Sequence, residues 1–582
     1  MGTTDAMKSA SMHALLVADF TIDGLAPLMA SSADAPTVRC AVAPFDQVVR
    51  VLIDSTAECW SSSPDLAIVW TRPQAAVKAF GALLDNEPAE LETVLAEVDE
   101  FATHLLSAAA RVTTMFVPTW TLPAYDRSLG LLDLDVKCGP RYVLLRMNAR
   151  LIERLSSARN VFVLDAERWM ASAGAAAVNP KLWHLGKIAF GVDVFKQAAL
   201  DVKAGVRALK GQSRKLIALD LDDTLWGGTV GDVGWENVKL GGHDPVGEAF
   251  AAFQRALKAL TKRGILLGIV SKNTEAVALE AIDRHPEVVL RRSDFVGWRI
   301  NWDDKARNLI ELVGDLNLGL DSVVFIDDNP VERARVREAL PQVLVPEWPA
   351  DKLLYEKALK ELTCFDAAVI SSEDRARTTM YVSDRLRSES SRLAESLEEH
   401  LASLGLRVIS EPLGPANLQR AAQLLNKTNQ MNLTTRRLTE QELHRWANAE
   451  GNTVFVFRVS DRLGDHGLTG LASLAVNGST ANICDFVLSC RVLGRGVEEA
   501  ILHGLTERAR QLRAARVLAV CRPTPKNGPC QEFFKERSRF AAGDGGVFEW
   551  SAADVYPVPS HIVLEQVVGA ESGTSDAERM PV

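Results

Sequence analysis

The sequence predicts an α/β protein of three domains in series: a front layer domain, a central domain on a parallel sheet without a cap, and a last domain with a mixed sheet. Three observations predict it. Strand-length apolar runs alternate with stretches of helical period along nearly the whole chain. The run K-L-I-A-L-D-L-D-D-T at 215–224 is a buried strand that delivers carboxylates into a turn. The length of 582 residues, with 47% apolar and 24% charged residues, provides for several cores.

In the front segment H-A-L-L-V-A-D-F from His13 and V-F-V-L-D at 161–165 read as strands, with helical spacing over 89–107 and 142–156. We place this domain at 1–205. The central domain, 206–370, holds the strand 216–219 and then a helix over 245–263, with Phe250, Phe253, Leu257 and Leu260 on one face and Gly264 as its stop. That helix leads into the strand I-L-L-G-I-V, which ends at Ser271, Lys272 and Asn273. A helix start at D-D-K-A-R carries Lys305, and S-V-V-F-I-D-D-N-P is a strand ending in Asp327 and Asp328. A charged helical connector is expected at 371–405, a third α/β domain at 406–560, and a disordered tail at 561–582, rich in Gly, Ser, Asp and Glu near its end.

A net charge of −10 argues against nucleic acid or an anionic membrane as the main partner. Eight cysteines without a Cys-x-x-Cys pair fit reduced thiols rather than a zinc site or a disulfide frame. The start lacks a signal-peptide pattern and no apolar run is long enough for a membrane helix, so the expected location is cytoplasmic.

Asp-x-Asp-x-Thr after a buried strand resembles the phosphoaspartyl signature of the haloacid dehalogenase (HAD) phosphotransferases. On that resemblance Asp220 is the nucleophile, and Asp222 protonates the leaving oxygen and activates water. Thr224 and Ser271 are further candidate catalytic hydroxyls, Ser271 placed to hydrogen-bond the transferring phosphoryl group. Lys305 steadies the phosphoaspartate. Asp220, Asp222, Asp327 and Asp328 are the expected Mg²⁺ residues. The stretch from Asp220 to Ser271 leaves room for a flap at 226–234 but for no cap domain. An open site of this kind admits a macromolecular substrate, such as a small acid on a carrier protein.

L-D-L-D-D-T-L-W-G-G-T-V-G, I-V-S-K-N and F-I-D-D-N-P-V-E-R resemble the FkbH-like proteins, a HAD subfamily found with polyketide synthases. So do N-K-T-N-Q-M-N-L-T-T-R-R, D-R-L-G-D-H-G-L-T-G, L-S-C-R-V-L-G-R-G-V-E and P-T-P-K-N further on. The resemblance implies a central Rossmannoid HAD-like domain, an SGNH-hydrolase- or flavodoxin-like front domain and a GNAT-like last domain. It implies a glyceryl transferase/phosphatase. The three-carbon acyl group of 1,3-bisphosphoglycerate would pass to the phosphopantetheine thiol of an acyl carrier protein, with loss of phosphate, for polyketide biosynthesis. The alternative is a small-molecule HAD phosphatase with an independent coenzyme A-dependent acyltransferase domain.

In the last domain Arg491, Gly494 and Gly496 form R-x-x-G-x-G between a strand and a helix over 497–512, the pyrophosphate loop of GNAT-type acyltransferases. Together with Arg495 and Asn527 they are the expected phosphopantetheine or coenzyme A contacts. Cys490, just before the loop, is the leading candidate to carry the acyl group; as a reading of the residues alone, a buried core cysteine is at least as good. Cys138, Cys364, Cys521 and Cys530 compete with it, and His466 is a candidate base. The front domain reads A-D-F-T at Ala18 to Thr21 where SGNH hydrolases carry Gly-Asp-Ser, and Asp165 and His184 lie far apart. We therefore expect a non-catalytic docking or assembly module.

Overall fold

The computed structural model describes residues 12–567 apart from 33–34, 394–396, 429 and 525–526. The chain folds as two compact units, 1–213 with 363–368, and 214–362 with 369–582.

The first unit is built on five parallel strands, β1 (Met12–Ala18), β2 (Val38–Val42), β3 (Leu66–Trp70), β4 (Thr114–Pro118) and β5 (Val161–Leu164), in the order β2-β1-β3-β4-β5. β3 and β4 are buried at every position, as strands covered on both faces must be. Leu15, Val17 and Val69 face one core with the helix Leu91–Ala109, while Leu16, Ile68 and Trp70 face another with the helix Val192–Leu209. That last helix runs past residue 205, the expected domain end, because Val202 and Val206 still belong to this core.

The second unit begins with four parallel strands, β6 (Leu216–Leu219), β7 (Leu266–Ser271), β8 (Phe295–Ile300) and β9 (Val323–Ile326), in the order β8-β7-β6-β9. Between β6 and β7 the helix Pro245–Thr261 starts at Asp244, whose carboxylate accepts from the Val246 and Gly247 N–H groups. It buries Phe250, Phe253 and Leu257 as the spacing requires. No domain is inserted there: residues 226–239 form a small flap closed by two hydrogen bonds between Gly227 and Lys239. The central domain is capless, as the sequence implies.

The connector forms as helices Ser372–Leu393 and Leu397–Leu404. Tyr381 and Val382 pack on the core beneath β6–β9, and Arg377 donates to the Gly264 carbonyl at 2.8 Å. The mixed sheet that follows contains β10 (Leu406–Pro412), β11 (Met431–Asn432), β12 (Asn452–Asp461), β13 (Gly464–Asn477) and β14 (Thr480–Leu488). It continues with β15 (Arg516–Val520), β16 (Ala541–Ala542), β17 (Val547–Ser551) and β18 (Ile562–Gln566). Antiparallel β12, β13 and β14 are followed by the helix Val497–Gln511 and then by β15, parallel to β14, a GNAT-like order. The tail expected from 561 does not begin there. Ile562–Gln566 is a strand, because its apolar residues complete the sheet beside β10. Residues 568–582 of the expected tail lie outside those described.

Candidate active site

Register brings the site together. Leu219 pairs with Ile326 and also with Ile269, so the residues just after β6 and β9 and the end of β7 meet at one edge. Ligands bind outside the carboxyl ends of such sheets. The cavity there, about 360 Å³, is lined by Asp220, Asp222, Ser271, Lys272, Lys305 and Asp328, among others. Lys305 opens the helix Lys305–Asp315, capped by Asp304, and reaches down to the sheet. Its Nζ lies 3.1 Å from Asp220 Oδ1 and 2.6 Å from Asp327 Oδ2, with all three side chains buried. Thr224, fully buried, accepts a hydrogen bond from the Asp328 N–H at 3.1 Å and so ties the first turn to the last. Ser271 is buried at the end of β7.

Asp220, Asp327 and Asp328 bring one carboxylate oxygen each within 4.8 Å of one another, a donor set suited to a hard cation. Asp222 is not in that set, a correction to the expected side-chain ligands. Its Oδ1 accepts from Trp226 Nε1 at 2.8 Å and the Val230 N–H at 3.1 Å, and its Oδ2 from Asn273 Nδ2 at 2.9 Å. The flap thus holds the proposed acid toward the cavity and away from the carboxylate cluster.

The electrostatics follow from burial. Desolvation, reinforced by Asp220 and Asp223, raises the Asp222 carboxyl, the direction a proton donor needs. Burial and then the Asp220 charge push Asp327 up to about 6 against the pull of Lys305. Burial alone would lower Lys305; Asp220 and Asp327 together hold it above its ordinary value. Two acids share one lysine, so the centre is short of positive charge. Asp328 is also raised by burial, partly offset by Lys352.

Several partners escaped the sequence reading. Lys352 Nζ donates to Asp328 Oδ2 at 3.3 Å and to the Asp223 carbonyl at 2.8 Å, and Tyr355 hydroxyl lies 2.9 Å from that Nζ. Arg333 Nη1 donates to the carbonyls of Asp327 and Asp328 at 2.8 and 2.7 Å. Arg333 could have been found in D-D-N-P-V-E-R; Lys352, well beyond any motif, had no local signal.

In the last domain the side chain of Cys490 lies outside the described residues, and its backbone opens the 3-10 turn Cys490–Val492. Cys521 and Cys530 are both buried, while Cys138 and Cys364 are half-buried and belong to the first unit. Arg491 Nε donates to Ser489 Oγ at 3.2 Å. Gly494 and Gly496 take positive φ values of 76° and 84°, which the loop's turn requires. His466, the candidate base, is buried, its Nε2 3.2 Å from Asp461 Oδ2 and 3.3 Å from Arg495 Nη1. Asn527 is buried and donates to the carbonyls of Asn432 and Arg522 at 3.1 and 2.9 Å, while its Oδ1 accepts from the Thr524 N–H at 2.8 Å. Its amide braces the loop.

In the front domain Asp19, after β1, is buried and paired with Arg72 at 2.6 Å. Asp165 caps the helix Ala166–Ala173, and His184 sits exposed at the end of the short helix Pro180–Gly186. No triad is assembled from these residues.

Residues 33–203 match the family described as FkbH, N-terminal domain. The chain is similar to the crystal structure of the N-terminal part of the protein BF1531 from Bacteroides fragilis, which contains a phosphatase domain complexed with Mg. Identity is 28% and the TM-score 0.56, over 62% of this chain and 95% of that one. Spermidine N-acetyltransferase from Vibrio cholerae, a mutant form, is similar at 15% identity and a TM-score of 0.20, over 25% of this chain and 94% of that one. No curated protein matches the chain. Among the described residues no helix is long and apolar enough to cross a membrane.

Proposed function

We propose, from the match of residues 33–203 to the FkbH N-terminal domain and the likeness to a phosphatase domain complexed with Mg, that this FkbH-like chain is a Mg²⁺-dependent phosphatase coupled to acyl transfer. It moves the three-carbon acyl group of 1,3-bisphosphoglycerate onto the phosphopantetheine thiol of an acyl carrier protein, with dephosphorylation, and so supplies a unit for polyketide assembly. The observation that carries the phosphatase half is Lys305 between Asp220 and Asp327 at the floor of a cavity with no cap.

A carboxylate oxygen of Asp220 attacks phosphorus, and the bond from phosphorus to the ester oxygen breaks as Asp222 delivers a proton to that oxygen. Water then attacks the phosphoaspartate, gives its proton to Asp222 and releases phosphate. Lys305 holds Asp220 in place and balances its charge, and Ser271 offers a hydroxyl to the transferring group. Asp220, Asp327 and Asp328 would hold Mg²⁺, which would supply the positive charge that the buried acids and phosphate oxygens lack. In the acyl half the Cys490 thiolate adds to the carboxyl carbon of the acyl phosphate and expels phosphate, and the carrier thiolate then attacks that thioester, takes the acyl group and frees the Cys490 thiolate.

One incubation tests the reading: bisphosphoglycerate, Mg²⁺ and phosphopantetheinylated carrier, followed by intact-protein mass spectrometry. A glyceryl mass on the carrier is expected. Phosphate release with an unmodified carrier leaves only the plain phosphatase. Asp220→Asn is expected to lower phosphate release by at least about 10³-fold, and Cys490→Ala to remove any acyl adduct from the enzyme itself.

A further inference from the structure

The R-x-x-G-x-G loop of the last domain has the sequence of a diphosphate cradle, yet its groups are directed inward. Glu498, in the first turn of the helix Val497–Gln511, is 2% exposed. Its Oε1 accepts the Gly494 N–H at 2.7 Å, and its own backbone N–H is turned to the same carboxylate. The other oxygen, Oε2, is buried without a hydrogen-bond partner among the described residues. These N–H groups at a helix N-terminus are the ones an incoming diphosphate would need. Burial raises the Glu498 carboxyl, so what opposes a diphosphate here is occupancy: the side chain already holds the Gly494 N–H that a phosphate oxygen would need.

Two further contacts close the loop independently. Arg495 turns toward Asp461 and His466 rather than outward, at 3.8 and 3.3 Å. Gly496 does not open toward a ligand. A Cβ there would meet His561 Nε2 and Pro559 Cγ at 3.1 Å, and His561 Nε2 lies 2.9 Å from the Arg495 carbonyl. The segment before β18 therefore covers the face where backbone would otherwise approach phosphate.

We infer that Glu498 is a specificity-determining residue that closes this loop to the diphosphate of coenzyme A, so that the domain takes its thiol as a pantetheine without a nucleotide diphosphate, as a carrier protein presents it. This rests on the acyl-transfer reading above. It separates that reading from an acyltransferase that draws on free coenzyme A.

The test is calorimetric titration of the full-length protein with coenzyme A, for wild type, Glu498→Ala and Glu498→Gln, each first checked for native thermal unfolding. Wild type is expected to show no binding up to millimolar coenzyme A, and Glu498→Ala to gain at least tenfold in affinity. Glu498→Gln keeps a side chain of the same shape in the loop, so it is expected to gain less, and it serves if the alanine variant does not fold. Micromolar binding by wild type overturns the inference, as does a folded variant set with no gain. The carrier-loading assay is read separately: refusal of both coenzyme A and carrier sinks the acyl-transfer reading and leaves the closed loop standing.

Discussion

Lys305 carries the charge balance of the phosphatase centre. It is buried between Asp220 and Asp327, which are themselves buried. Replacing one partner of a buried ion pair leaves an uncompensated charge, at a cost of about 3–5 kcal/mol. Lys305→Met is therefore expected to lose about that much stability to urea in the presence of EDTA, and to release phosphate at least about 10²-fold more slowly. Unfolding curves and a phosphate assay check both; an equally stable variant would show that the acids are protonated and need no cation. At this scale the sequence was highly legible. Asp220, Ser271, Lys305, Asp327 and Asp328 were all named from motifs at element ends, and all line the cavity or touch one another. Asp222 was legible as an acid, but the direction of its side chain was not, because Trp226 and Asn273 reach it only after the flap folds.

The helix Lys305–Asp315 is the element that aims the lysine. It packs Leu312 into a gap left by two facing glycines on β7 and β8. A Cβ at Gly268 would come within 2.9 Å of Leu312 Cδ2, and one at Gly297 within 2.9 Å of Leu312 Cδ1. Overpacking of this kind costs about 1–3 kcal/mol. Gly268→Val is expected to lower stability by about that amount and, by lifting the helix, to reduce kcat more than KM. Steady-state kinetics distinguish this from a loss of binding, which would raise KM alone. Helix positions were legible from periodicity and caps: the helix Pro245–Thr261 begins at its predicted residue. The glycine pair was not, since two residues far apart in sequence become neighbours only through the β7–β8 register.

Across the second unit, the connector helix Ser372–Leu393 completes the phosphatase core. Tyr381 and Val382 pack on it, Arg377 and Arg385 donate to the Gly264 and Phe295 carbonyls, and Arg385 lies 4.3 Å over the Trp298 ring. A fragment of residues 214–371 is expected to unfold at a temperature several degrees below that of 214–393, because it exposes this apolar edge. Differential scanning calorimetry of the two fragments decides it; equal midpoints would make the helix a mere spacer. Removal of Mg²⁺ with EDTA is expected to abolish phosphate release and lower the melting temperature of the full chain, since a cation bound only by the native cluster stabilises it by mass action.

By itself the sequence determined the α/β class, the strands that end in acids and which residues gather at the candidate site. These are local properties: an apolar run followed by carboxylates reads the same in any context. Only tertiary structure decided what depends on residues distant in the chain. It set the sharing of Lys305 by two acids, the rotation of Asp222 out of the metal cluster, the recruitment of Lys352, and the strand Ile562–Gln566 where a loose tail was expected. It also decided the loop at Gly494. The motif advertises a phosphate cradle, but the burial that folds the helix brings Glu498 into it, and a motif carries no record of which of its own side chains will fill it.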